Sequence, residues 1–181
     1  MQIPTLSVTE NKATLLSDGK PFLVLAGEAH NSSSSSLEYM RESVWPYLRP
    51  MHLNTLVVAV TWELLEPAPG RFDFSLPDGL IRQAEAEGVK LVFLWFGLWK
   101  NGMSTYVPEW VKQDRKTYFA MRNRSGKPVN AVSPLCGAGV ERDAAAFAAL
   151  MAHLRDFDVN RTVLMVQVEN EMGLLGDCRD F

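Results

Sequence analysis

Four apolar, strand-like runs separated by helical segments constrain this chain more than any other feature. They are Leu23-Val24-Leu25-Ala26, the β-branched run Leu53 to Val60, Leu91-Val92-Phe93-Leu94-Trp95-Phe96, and Val163 to Val168. After the first, the serine tract Ser32 to Ser36 offers a loop and helix N-cap. Leu37, Met40, Val44, Leu48 and Met51 then recur at helical spacing, with Pro46 as a kink. After the second, Leu76 to Glu87 carries Leu80, Ile81 and Ala84 on one face and ends at Gly88, a residue suited to the C′ position. The alanine-rich segment Arg142 to Asp156 is a third helix. Runs that are apolar throughout suit strands buried on both faces, and strict alternation of strand and helix predicts a parallel sheet. The first three strands begin near positions 23, 53 and 91, close to the roughly 31-residue unit of a (β/α)8 barrel. The competing doubly wound fold carries a Gly-rich phosphate loop after its first strand, whereas Gly27-Glu28-Ala29-His30-Asn31 has one glycine. The expected fold is therefore α/β, the N-terminal half (strands one to four) of a TIM barrel.

Two further segments complete the outline. Ala13 to Leu16 and Pro21 to Val24 flank Ser17-Asp18-Gly19-Lys20, a strong hairpin turn signal. Residues 1–22 are expected as a short β-hairpin packed on the barrel, and 23–181 as an incomplete barrel domain. From Gly97 to about Val140 the pattern is irregular, with one short helix near Glu109 to Gln113.

Composition narrows the function classes. At 181 residues, 47% of them apolar, the chain is about one domain long with ample core, which excludes a disordered chain. A net charge of −3 with interspersed signs gives no basic stripe, so neither nucleic acid nor an anionic membrane surface is an expected partner. No apolar run approaches the roughly 20 residues that span a bilayer. Met1-Gln2-Ile3-Pro4-Thr5 shows no signal peptide, so the expected location is cytoplasmic, or periplasmic or secreted if the true start lies upstream. Cys136 and Cys178 read as free thiols. His30, His52 and His153 have no ligand spacing, and neither a metal nor a cofactor is expected.

Functional residues of a parallel barrel sit at the C-terminal ends of its strands. Those positions hold Glu28, His30 and Asn31 after strand one, and Trp62 and Glu63 after strand two. Strand three contributes Trp95, Trp99, Lys100 and Asn101, and strand four Glu169, Asn170 and Glu171. Indoles, amides and carboxylates together suit a neutral polyhydroxylated ring. Glu171 is the candidate general acid, while Glu169 is open between a substrate contact and a structural carboxylate. His30 is equally open between a substrate contact and a hydrogen-bonded rim residue. Trp95 and Trp99 are open between stacking and packing. Strand alternation would send Asn170 to the face opposite Glu169 and Glu171, so a joint role for Asn170 and Glu171 requires a break in pleating, such as a bulge.

These residues resemble a known family. Gln167-Val168-Glu169-Asn170-Glu171-Met172-Gly173 is similar to the QIENEYG-type motif of family 35 glycoside hydrolases, the β-galactosidases. Leu53-Asn54-Thr55 and Trp62-Glu63-Leu64-Leu65-Glu66-Pro67, with Gly70 and Phe72-Asp73-Phe74, resemble the second-strand signature shared by families 35 and 42. Leu94 to Asn101 with Pro108-Glu109-Trp110-Val111 resembles a bacterial β-galactosidase subgroup bordering both. The resemblance implies a (β/α)8 barrel and retaining hydrolysis of terminal β-galactosides, with Glu171 as acid/base and Asn170 on the sugar 2-hydroxyl. Where the family-35 pattern has Asn after the second-strand Trp, this chain has Glu63. The family nucleophile is a glutamate at the end of strand seven, so the isolated chain is expected to be inactive. Its expected partners are a β-galactoside or related oligosaccharide, and a second chain completing the barrel or a homo-oligomer. The alternative function is a non-catalytic sugar-binding or assembly module.

Overall fold

The structure, a computed structural model, describes residues 1–100 and 104–171. β1 (Thr5–Thr9), β2 (Lys12–Ser17) and β3 (Lys20–Pro21) form an antiparallel sheet in that order. The chain turns at Asp18 and Gly19, whose φ angles of 51° and 73° suit a tight hairpin. β1 adds a strand to the expected hairpin; Thr5-Leu6-Ser7-Val8-Thr9 alternates polar and apolar as a strand does, yet every one of its residues is exposed.

The chain continues through β4 (Ala26–Glu28), α1 (Leu37–Ser43), α2 (Trp45–Leu48), β5 (Thr55–Thr61), α3 (Trp62–Leu65), α4 (Ser75–Glu87) and β6 (Lys90–Phe96). It then forms α5 (Glu109–Gln113), β7 (Ala120–Arg122), β8 (Pro128–Val132), α6 (Gly137–Phe157) and β9 (Val163–Val168). A four-stranded parallel sheet has the order β4-β5-β6-β9, so the fold is α/β as expected. The helical run after β4 breaks at Val44, directly before the Trp45-Pro46 pair, and Ser36 caps α1 by accepting from Tyr39 N.

Three expectations need correction. The first strand is shorter and less covered than an apolar run suggests: pairing begins at Ala26, and Leu23 and Leu25 are exposed. Among the described residues β4 is a sheet edge, with a strand on one flank alone. β9 is the other edge, and Met165 and Val168 are likewise exposed. The stretch after Gly97 contains the antiparallel pair β7–β8 as well as α5. Its turn is built by Asn123, whose Oδ1 accepts from Ser125 N and Lys127 N, and by Gly126 at φ 76°. Finally, α6 starts at Gly137, not Arg142, because Cys136 N and Val140 N bond to Ser133 O and Cys136 O and carry the coil past two glycines.

The described chain divides into two compact units. The first comprises Met1–Ala59, Ser75–Phe93 and Leu154–Val166; the second comprises Val60–Phe74, Leu94–His153 and the residues from Gln167 onward. In the first, Met40, Trp45, Leu80, Ile81, Leu91 and Phe93 are core residues. In the second, Trp62, Trp95, Phe96, Val111 and Leu150 are buried. Among the described residues no helix is long and apolar enough to cross a membrane.

The entry to β9 depends on one buried carboxyl group in the first unit. Asp158 accepts from Thr162 N at 2.8 Å and Val163 N at 2.9 Å, while Arg161 takes a left-handed φ of 48° between them. Removing that acceptor strands two amides, and each lost bond to a charged group is worth about 1.5–3 kcal/mol. Asp158→Ala should therefore destabilise the chain by about 3 kcal/mol in chemical denaturation, and Asp158→Asn by clearly less.

Candidate active site

The end of β9 leaves regular pleating at two residues. Glu169 and Glu171 both adopt left-handed backbone, at φ 62° and 48°, on either side of Asn170. For non-glycine residues such conformations cost of order 1–3 kcal/mol each and persist only where surrounding contacts over-determine them.

The segment from Leu98 to Lys100 supplies those contacts. Leu98 N and Trp99 N donate to the Glu169 carboxyl group at 3.2 and 2.8 Å. Trp99 Nε1 donates to Glu171 O at 3.0 Å, and Lys100 Nζ meets Glu171 Oε2 at 2.8 Å. Lys100 is buried, with its ammonium 5.3 Å from the Phe96 ring centroid, whereas the Glu171 side chain is 62% exposed. Glu171 is thus an accessible carboxylate anchored from below by a buried cation.

Glu169 has the opposite environment. Burial and a hydrogen bond to the neighbouring Asp143 push its carboxyl up to about 9, against the opposing pull of the Trp99 and Leu98 amides. The Glu169–Asp143 pair therefore holds a proton above the usual carboxylate range, and Asp143 also receives Trp95 Nε1 at 2.8 Å. Gly97 admits this arrangement, since a Cβ there would fall on Asp143 Oδ1 and Trp95 Nε1. The half-buried Asn170 accepts from Gln167 Nε2 at 2.9 Å.

A second cluster explains the signature that follows β5. The buried Glu66 accepts from Trp62 Nε1 and Gly70 N, each at 2.6 Å, and its carbonyl accepts from Trp110 Nε1 at 3.0 Å. Trp62 and Trp110 meet edge to face. Gly70, at φ 71°, supplies a turn that other residues rarely adopt. Glu63 pairs with Lys112 at 2.9 Å, which gives a local reason for a carboxylate where the family-35 pattern has an amide.

The expected site residues thus separate by environment. Glu169 and Glu171 come together with Trp99, and Asn170 lies between them. Trp62, Trp95 and Trp99 are buried, so their indoles serve as packing and hydrogen-bond donors and offer no open stacking face in this structure. His30 is exposed and Asn31 half-buried, both in the first unit. Asn101, Met172, Gly173 and Cys178 lie outside the described residues. Asp143, Gly97 and Glu66 were not singled out as site residues in the sequence. The Trp62-to-Gly70 spacing is a usable signal for Glu66, but nothing local marks Asp143 as the partner of a residue on β9. Among the described residues no cluster of three or more His, Cys, Asp or Glu could hold a metal ion.

The glycoside hydrolase family 42 model, described as beta-galactosidase, matches residues 37–179. A β-galactosidase of Xanthomonas manihotis is 30% identical over 82 residues, covering 41% of this chain and 13% of that protein. The exo-β-1,4-mannosidase Op5Man5 from Opitutaceae bacterium strain TAV5 superposes with a TM-score of 0.59 at 17% identity, over 86% of this chain and 26% of that one. The catalytic domain of β-amylase from Paenibacillus polymyxa gives 0.57 at 15% identity, over 80% and 35% respectively. The chain spans a minor part of each relative's length, and at these identities the structural likenesses speak to fold alone.

The Glu169 environment generates a pH test. A carboxyl raised from 4.5 to about 9 on folding contributes stability that is fully present below about pH 4.5 and is lost as pH rises through about 9. Leu98 N and Trp99 N meet different oxygens of Glu169, so Glu169→Gln keeps an acceptor for one amide alone, and it cannot ionise. Its melting temperature should therefore lie below that of the native chain near pH 4, and the gap should shrink as pH rises from about 5 through about 9, because the native chain alone loses stability there. Parallel melting curves across that range would refute the assignment.

Proposed function

Because this chain belongs to the family 42 glycoside hydrolases, the β-galactosidases, we propose that it forms the acid/base-bearing part of a glycosidase that cleaves terminal β-galactosides with retention. Glu171 is the acid/base and Asn170 the contact to the sugar 2-hydroxyl. One observation carries the reading: Glu171 offers an exposed carboxylate at the end of β9, held by the buried Lys100. Glu169, which shares the motif, is occupied by backbone amides and Asp143. To act as the acid, Glu171 must release Lys100 and take up a proton from solvent before it passes that proton to the glycosidic oxygen. Lys100 then pairs again with the carboxylate that is left as the proton leaves.

The architecture in this reading is strands one to four of a (β/α)8 barrel, with residues 1–22 as an appended hairpin. Its support is the parallel order β4-β5-β6-β9, with apolar Met165 and Val168 exposed on one edge strand. Further strands, from the same polypeptide, a second chain or another copy, would cover these edges. A retaining mechanism also needs a second carboxylate about 5–5.5 Å from the first. Glu63 is committed to Lys112, and the nucleophile is assigned to that further part of the barrel.

The test uses the catalytic protein that contains this segment. Glu171→Ala should lower hydrolysis of a β-galactoside with a poor leaving group by about 10^2–10^4-fold. On an aryl β-galactoside whose leaving group needs no acid assistance, the covalent intermediate still forms, and azide should restore turnover and give a β-galactosyl azide. An α-azide product would make Glu171 the nucleophile. Sugar binding without any turnover in the unmutated protein would favour a non-catalytic module.

A further inference from the structure

The β7–β8 hairpin has two chemically distinct faces. Side chains alternate along a strand; Met121 and Ala131 pack with Trp99, with Val129 beside them. Ala120, Arg122, Pro128 and Asn130 fall on the alternate positions, with an irregular register between Ala120 and Arg122, and together with Arg115, Phe119 and Val129 they line a groove of about 720 Å3. Met121 and Ala131 thus support Trp99, one of the residues that holds Glu169 and Glu171, while the exposed Phe119, Arg122, Pro128 and Asn130 face the groove.

Net charge conceals the character of that face. Arg115, Lys116, Arg122, Arg124 and Lys127 fall in one short stretch in which Asp114 is the sole acid. Two of these cations line the groove, and both are oriented by the hairpin. Arg115 Nη2 donates to Asn130 Oδ1 at 3.3 Å, and Arg122 Nη1 donates to Gly126 O at 2.7 Å. A guanidinium carries five donors in a rigid fork, and bonds within the hairpin set its plane. Phe119 is 44% exposed beside them and, with Pro128 and Ala120, adds apolar surface. Planar cations, an amide and an aromatic ring on one concave surface match a sugar ring that carries a carboxylate: the guanidinium forks the carboxylate, the amide meets hydroxyls, and the ring covers the apolar sugar face. A nucleic acid fits less well, because the basic stretch is local and the chain as a whole carries −3.

We propose that the groove formed by Arg115, Phe119, Arg122 and Asn130 is a binding site for acidic, uronate-containing oligosaccharides, separate from the carboxylate centre at Glu171. Its function would be to hold an acidic glycan chain on the same unit that presents the catalytic strand end.

Calorimetric titration of the chain with hexagalacturonate tests this directly, without reference to turnover. Binding is expected, with an affinity that falls as salt rises. Arg115→Ala and Arg122→Ala should each weaken it about ten-fold or more, and Phe119→Leu should weaken it less. Arg115→Lys and Arg122→Lys retain charge without the fork and should be impaired as well, which separates lost recognition from a damaged hairpin. Arg124→Ala, outside the groove lining, should leave affinity unchanged. The proposal is overturned if hexagalacturonate does not bind, or if its methyl ester binds equally. It is also overturned if hexaglutamate binds as tightly, which would mark a general acidic-partner surface, or if the groove arginines can be replaced without effect.

Discussion

The clamp between residues 98–100 and the end of β9 is the interaction on which the candidate site depends. Two left-handed glutamates in a three-residue span would relax toward ordinary backbone if left alone. Hydrogen bonds from Leu98, Trp99 and Lys100 hold them instead, and these reach the side chain of Glu169 and both backbone and side chain of Glu171. Trp99 is in turn packed against Met121 and Ala131 of the β7–β8 hairpin. The hairpin thus contributes to the site without placing a side chain in it: by covering Trp99, it fixes the donor that meets Glu171 O.

The elements that sequence made legible are those with a strong period or strong punctuation. α4 has buried Leu80, Ile81 and Ala84 and stops at Gly88; β6 is a run of large apolar residues, and β9 begins and ends as its pattern suggests. Less legible were elements whose stability comes from elsewhere. β1 is wholly exposed and gains its order by pairing with β2. β7 and β8 are short, and their turn depends on the bonds of Asn123. Edge position likewise has no signature in a single strand, which is why Leu23 and Leu25 read as buried and are not.

The site followed the same division. The motif around Glu171 pointed to a break in pleating, and a pair of left-handed residues makes it. The indoles were harder to assign, because a tryptophan near a strand end has the same sequence appearance whether it lines a pocket or supports one. Trp62 donates to Glu66 and Trp95 to Asp143, so both belong to the supporting layer. Asp143 was unreadable for a different reason: its meaning depends on Glu169, which is remote in sequence and adjacent only after folding.

Glu169 and Glu171 also show how two identical side chains, two residues apart, can be assigned different chemistry. Alternation alone would give them one face and one environment. The left-handed turns separate them, so that Glu169 goes inward to amides and a second carboxyl group, while Glu171 stays accessible above a buried ammonium. A neutral Glu169 can donate to Asp143 and accept from two amides at once, which makes it a rigid strut at neutral pH. Loss of the proton that Glu169 and Asp143 share would weaken the support for Glu171. That proton therefore belongs to the structure of the strand end, and Glu171 is left as its exposed carboxyl group.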